Sequence, residues 1–187
     1  MAPGAPPTPD EDHMHPWHDV DPGADAPAVI TMVVEIPKGS RNKYEIDKPT
    51  GAFRLDRVMA TSTAYPVDYG FVPRTLYGDG DPLDVLVVTN HPTFTGCLLE
   101  VRPIGLFSMR DRDLPDDKVL AVLTRDRTFD GVTGLEHVPP HLLREIEHFF
   151  RVYKDLEGGR QVTIGWSDVS HAHAAIRAGL AGYTRRD

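Results

Sequence analysis

The order of elements constrains this chain more than any single motif, because β-type runs come first and helical periodicity comes only at the end. Short apolar segments run at Val29–Ile36, Lys43–Ile46, Ala52–Val58, Leu83–Thr89, Leu98–Met109 and Lys118–Thr124. Turn-forming stretches such as Pro49-Thr50-Gly51 and Gly78-Asp79-Gly80-Asp81-Pro82 separate them. Leu142, Leu143, Ile146, Phe149, Phe150 and Tyr153 then fall three and four residues apart, which predicts a helix over Pro139–Leu156. A short strand, Gln161–Gly165, and an Ala-rich helix from about Asp168 to Leu180 complete the pattern. Strands early and helices late indicate an α+β domain whose strands close, or nearly close, into a barrel.

The N-terminal stretch has a different character. Residues Met1 to about Pro27 are rich in Pro, Gly, Ala and Asp and nearly free of aliphatic side chains, which reads as a flexible tail at least up to Met14. His13, His15 and His18 in such a tail are ordinarily without a metal. Trp17, in His15-Pro16-Trp17-His18-Asp19-Val20, is an exception, since an indole in a tail docks against something. No apolar run is long enough to span a bilayer and no basic-then-apolar leader is present, so no membrane partner is expected. The sole cysteine, Cys97, opens an apolar run and reads as a buried structural thiol in a reducing, cytoplasmic setting.

Chemistry concentrates in Asp79-Gly80-Asp81-Pro82-Leu83-Asp84, where carboxylates crowd a Gly/Pro turn just before an apolar strand. An isolated Asp-x-Asp is usually a solvated turn. Here the turn lets carboxylates converge, and hard cations such as Mg²⁺ prefer such oxygen donors. The spacing does not suit a calcium loop of the EF-hand type. A second acidic run, Asp111-Arg112-Asp113-Leu114-Pro115-Asp116-Asp117-Lys118, lies between two apolar strands, where a barrel rim would bring it to the first. The formal charge of −8 argues against binding a polyanion unless cations gather locally. Candidate donors are Lys43 on one strand, Arg57 with the next, the phenols Tyr65 and Tyr69 of the turn-rich stretch Tyr65–Gly70, and Tyr153-Lys154 closing the predicted helix. Arginine suits bidentate phosphate contact, lysine is a point charge, and tyrosine donates without changing charge.

With these residues in view, the chain resembles the soluble family I inorganic pyrophosphatases of the prokaryotic type. The matching blocks are Val34-Glu35-Ile36-Pro37, Lys43-Tyr44-Glu45-Ile46-Asp47, Asp56-Arg57, Tyr65-Pro-x-x-Tyr69-Gly70, Asp79-Gly-Asp-Pro-x-Asp84 and His148-Phe-Phe-x-x-Tyr153-Lys154-Asp155, in family order. Trp17-His18-Asp19-Val20 also resembles an N-terminal docking segment, which places the tail at residues 1–15 and the enzyme domain at 16–187.

The resemblance implies an OB-like five-stranded closed barrel with flanking C-terminal helices, hydrolysis of pyrophosphate to two orthophosphates, Mg²⁺ as cofactor and a homo-oligomer, typically a hexamer. Carried over by motif, Asp79, Asp84 and Asp116 bind the catalytic ions. Asp111 joins Asp116 around the ion that arrives with substrate, and Glu35 and Glu45 lie at the edge as direct or water-mediated ligands. Lys43, Arg57, Tyr69, Tyr153 and Lys154 hold phosphate oxygens, with Lys118 near the acidic loop. Asp81 is the base, with Asp116 as the other candidate. Only the family spacing Asp-x4-Asp-x-Lys selects Asp111, Asp116 and Lys118 over Asp113 and Asp117. Where the family often has His before the Tyr-Lys pair, this chain has Val152. His148 and Asp155, seven residues apart on the predicted helix, then offer a subunit contact. Two rival readings stay open: a metal-dependent phosphatase acting on nucleotides or other small phosphates, and an OB-type nucleic-acid-binding module, which the acidic balance opposes.

Overall fold

The computed structural model describes residues 14–159 and 161–184, so the tail reading for residues up to 13, His13 included, lies outside the described residues. The strands are β1 (Ile30–Ile36), β2 (Asn42–Ile46), β3 (Phe53–Val58), β4 (Asp68–Phe71), β5 (Asp84–Val88), β6 (Leu98–Asp111), β7 (Leu114–Pro115), β8 (Lys118–Leu123) and β9 (Gln161–Ser167). Helix α1 spans Pro140–Val152 and α2 spans Val169–Gly182. The order β1-β4-β5-β8-β6 closes on itself through pairing of β6 with β1, giving the five-stranded barrel that the family resemblance implies. All pairs in the ring are antiparallel except β5 with β8. That arrangement is OB-like.

Closure relies on the long β6, which pairs with β1 through Leu98–Val101 and with β8 through Val101–Phe107. A register shift between Pro103 and Gly105 bends it, and a proline is tolerated there because a bulge does not need its missing N–H. Strands β5 and β8 are buried on both faces. Val85, Val87, Val119 and Ala121 pack with Ala172 and Ile176 of α2, whereas the alternating Leu86, Leu120 and Val122 pack with Ile146, Phe149 and Phe150 of α1. Such strands read as unbroken apolar runs rather than as alternating ones.

Three sequence readings need correction. Tyr65–Gly70 reads as turn, yet Asp68–Phe71 forms β4. Gly70 is there because a Cβ would collide with the Val33 carbonyl of the neighbouring strand, and buried Asp68 accepts from the Lys38 N–H at 2.7 Å and the Thr93 hydroxyl at 2.7 Å. Helix α1 ends at Val152 rather than Leu156: the chain turns at Lys154, makes one 3-10 turn at Asp155–Glu157, and stops at left-handed Gly158 (φ 71°). Exposed His148 and Asp155 therefore do not share a helix. Cys97 is partly exposed just ahead of β6, not buried. At the expected tail boundary, His15 donates its N–H to Asp19 at 2.7 Å.

The indole does dock. Trp17 is buried with Val20, Val33, Ile46 and Phe71, and its Nε1–H donates to the Thr75 carbonyl at 2.9 Å. Replacing it by alanine, Trp17→Ala, is expected to cost about 3–5 kcal/mol. Urea unfolding of the two proteins checks this, and an unchanged midpoint would show that the indole covers nothing of consequence.

Candidate active site

The site begins at the parallel pair. Asp84 opens β5 directly opposite Lys118, which opens β8. The Lys118 side chain is 2% exposed, and its ammonium donates to Asp84 Oδ2 and Asp116 Oδ1, both at 2.6 Å. Burial opposes its charge, but Asp84 and Asp116 together hold it above the usual lysine range. From β4, Tyr69 donates its hydroxyl to the same Asp84 oxygen at 2.5 Å. Burial pushes Asp84 up to about 6, against the pull of Lys118.

The other walls come from separate elements. Glu35 is the extra residue of a bulge in β1, between Val34 (opposite Gly70) and Ile36 (opposite Tyr69). The bulge turns its carboxyl into the cleft, where it accepts the Ile46 N–H at 2.9 Å. From β2, Lys43 is paired with Glu45. The turn after β4 presents Asp79 and Asp81, and Asp79 Oδ1 accepts the Asp81 N–H at 3.0 Å. Burial, then the charge of Asp81, push Asp79 above the usual range. The end of α1 delivers Tyr153 and Lys154. The Lys154 ammonium donates to Asp111 at 2.7 Å, and Gln161 of β9 donates to the other Asp111 oxygen at 3.2 Å. Burial opposes ionisation of Asp111, but these donors bring its carboxyl below the usual range. Burial keeps Tyr65, Tyr69 and Tyr153 neutral far into the alkaline range, so all remain hydrogen-bond donors.

Apart from Gln161, these residues line one cleft of about 260 Å³. It holds every acidic residue to which the resemblance gives a metal or base role, together with Lys43, Tyr69, Lys118, Tyr153 and Lys154. Arg57 is not on its wall. Its guanidinium is taken up by Asp56 at 2.5 Å and Glu157 at 2.9 Å, and Asp56 stands 3.6 Å from Lys43, so Arg57 sits one ion pair behind the cleft. Sequence reasoning missed Lys48, which lies on the wall and pairs with Asp81. Its place in the turn Asp47-Lys48-Pro49 reads as a solvated lysine. The only available signal was that this turn continues the strand carrying Lys43 and Glu45.

The donor set suits a hard divalent cation. Carboxylate oxygens dominate, and among the described residues the cleft wall has no thiol or imidazole. Among the described residues no three acidic, His or Cys side chains are gathered tightly enough to encircle an ion. Lysines stand between the carboxylates instead, and the Lys118 ammonium, shared by Asp84 and Asp116, occupies the kind of position a cation would take.

The family model described as inorganic pyrophosphatase matches residues 32–184. The chain is 46% identical over 159 residues to the inorganic pyrophosphatase of Methanosarcina acetivorans, covering 85% of this chain and 95% of that one. It is 49% identical over 151 residues to that of Leifsonia xyli, covering 80% and 93%. Among solved structures, the inorganic pyrophosphatase of Thermus thermophilus superimposes with a TM-score of 0.87 at 42% identity, covering 90% of this chain and 98% of that one.

Burial, outweighing the Ile46 hydrogen bond, pushes Glu35 up to about 8, and Asp84 adds to the effect. The folded protein thus holds this proton more tightly than the unfolded chain. The resulting stability is whole below the ordinary value of 4.5 and is lost as pH rises through about 8. Without divalent ions, Glu35→Gln is therefore expected to gain on wild type between those limits, by on the order of a few kcal/mol at the alkaline end. Urea midpoints measured across that range check this. Parallel pH profiles for the two proteins would contradict it.

Proposed function

The chain belongs to the inorganic pyrophosphatase family, and on that premise we propose that this cleft hydrolyses pyrophosphate to two orthophosphates using Mg²⁺ held by its carboxylates. The observation that carries the reading is the interleaving of Asp79, Asp81, Asp84, Asp111 and Asp116 with Lys43, Lys48, Lys118 and Lys154 on one small cleft. A polyanion accompanied by divalent cations is the ligand that both sets can satisfy at once.

Asp79, Asp84 and Asp116 would hold the catalytic ions, Asp111 with Asp116 the ion accompanying substrate, and Glu35 and Glu45 would serve at the edge. When bound, the ions supply a water of lowered pKa and neutralise phosphate charge. The lysines and the neutral phenols of Tyr69 and Tyr153 would donate to phosphate oxygens and keep the two phosphoryl groups in line with the attacking water. Arg57 joins them by exchanging Asp56 or Glu157 for a phosphate oxygen. As water oxygen bonds to one phosphorus and the bridging P–O bond breaks, Asp81 takes the water proton and the second phosphate leaves. Asp81 is favoured over Asp116 for this step because its side chain is 49% exposed and can return the proton to solvent. Asp116 is 13% exposed and engaged by Lys118.

The cleft volume, about 260 Å³, lies below the roughly 300–1,000 Å³ of sites for larger organic ligands, which favours pyrophosphate over a nucleotide. Its acidic lining and the net charge of −8 disfavour a nucleic-acid partner. Residues 16–187 form the enzyme domain in this reading. The enzyme works in the cytoplasm as a homo-oligomer, hexameric on the family pattern, and sedimentation velocity tests the assembly.

Phosphate release with Mg²⁺ should be rapid from pyrophosphate and slow from ATP; equal rates would remove the assignment. Asp84→Asn should lower turnover roughly a thousandfold or more. Asp113→Asn, at an exposed position off the cleft, should leave it nearly unchanged. Equal activity of the two folded variants would mean the site is misplaced.

A further inference from the structure

The acidic residues of the cleft are held in two different ways. Asp84 is fixed by the sheet, paired in register with Phe71 on one side and Lys118 on the other. Asp79 and Asp81 lie outside the sheet, on a turn that Tyr77 closes with its backbone. The Tyr77 N–H donates to the Asp81 carbonyl at 2.7 Å, and the Gly80 N–H donates to the Tyr77 carbonyl at 3.0 Å. Gly80 permits this turn by adopting a φ of 88°, in the left-handed region.

The side chain of Tyr77 leaves the turn in another direction. Its ring packs against the apolar cluster under α2, and its hydroxyl donates to Asp117 Oδ2 at 2.7 Å. Asp117 lies between Asp116 and Lys118, on the second acidic loop. Beside this bond, Gly78 faces Pro115 of the same loop; a Cβ on Gly78 would stand 3.7 Å from the proline Cγ. Neither Tyr77 nor Asp117 lines the cleft, so neither is placed to touch substrate.

We propose that Tyr77 is a positioning residue, whose hydrogen bond to Asp117 straps the Asp79–Asp81 turn to the Asp111–Asp116 loop and so sets the spacing of carboxylates that the sheet does not set. The inference deepens the metal-dependent reading above and rests on it. A small shift of the strap moves Asp79 relative to Asp116 while leaving Asp84, Lys118 and the barrel in place.

The test uses the full chain with Tyr77→Phe, Asp117→Ala, Asp117→Asn and the double variant Tyr77→Phe/Asp117→Ala. Calorimetric titration with Mg²⁺ alone, without substrate, should show affinity weakened about three- to tenfold in Tyr77→Phe and in Asp117→Ala. The double variant should lose no more than either single one. Asp117→Asn should retain most of the affinity, because its amide oxygen accepts the same bond. Amide exchange at residues 78–81 should quicken in metal-free Tyr77→Phe, while exchange in the barrel strands stays as in wild type. Wild-type Mg²⁺ affinity in Tyr77→Phe, or additive losses in the double variant, overturns the strap. Should wild type itself take up no Mg²⁺, the proposed function is what fails, and unchanged exchange at residues 78–81 then decides against the strap on its own.

Discussion

Lys118 is the residue on which the rest of the site depends. An ammonium taken out of water costs several kcal/mol unless it is paired with good geometry. Here it is paired twice, with Asp84 and Asp116, and its nitrogen also stands 5.2 Å from the Phe150 ring and 5.6 Å from the Tyr69 ring. Each of those partners comes from a different part of the fold. Asp84 opens β5, Asp116 follows β7, Phe150 comes from α1 and Tyr69 from β4. A single buried cation thus ties the sheet, the acidic loop and the helix to one point. Removing either carboxylate leaves a buried charge without full compensation, which is why this floor is rigid.

Toward the rim the same chemistry becomes looser. Lys154 and Asp111 are 17% and 27% exposed, whereas Lys48 and Asp81 are 50% and 49% exposed. Exposed ion pairs contribute little stability, so the outer pairs exchange partners at small cost. On the proposed reading, an acidic protein would in this way keep the lysines meant for phosphate organised before substrate arrives. Each cleft lysine has a carboxylate to hold it in place, and in the proposed reaction that carboxylate would turn to a divalent cation as the lysine turns to a phosphate oxygen. The site is prepared by internal neutralisation, graded from a fixed floor to an exchangeable rim.

Backbone irregularities supply the aim. The bulge at Glu35 breaks the alternation of β1: Ile30, Met32 and Val34 pack under α2, but Ile36 packs under α1. Without the extra residue Glu35 would follow the pleat instead of facing the cleft. A matching irregularity in β3 leaves Asp56 as the extra residue between Leu55 and Arg57, beside Lys43. The break in the helix at Lys154 has the same use, since a continued helix would not send that ammonium toward Asp111.

The amino-acid sequence by itself determined what rests on local chemistry. The apolar runs mark strands, the spacing of Ile146, Phe149 and Phe150 marks the buried face of α1, the indole of Trp17 requires a place to dock, and the acidic blocks with their family order identify the reaction class. These are properties of residue type and near-neighbour spacing, which the chain carries before it folds. Tertiary structure alone decided which charges meet. Asp68–Phe71 became a strand because Gly70 lets two backbones approach, which looks like a turn signal when read along the chain. Arg57 was drawn off the cleft by Glu157, a hundred residues away in sequence, and Lys48 was drawn onto it by Asp81. Electrostatic pairing acts through space between residues that share no local pattern, so only the closed barrel could settle it.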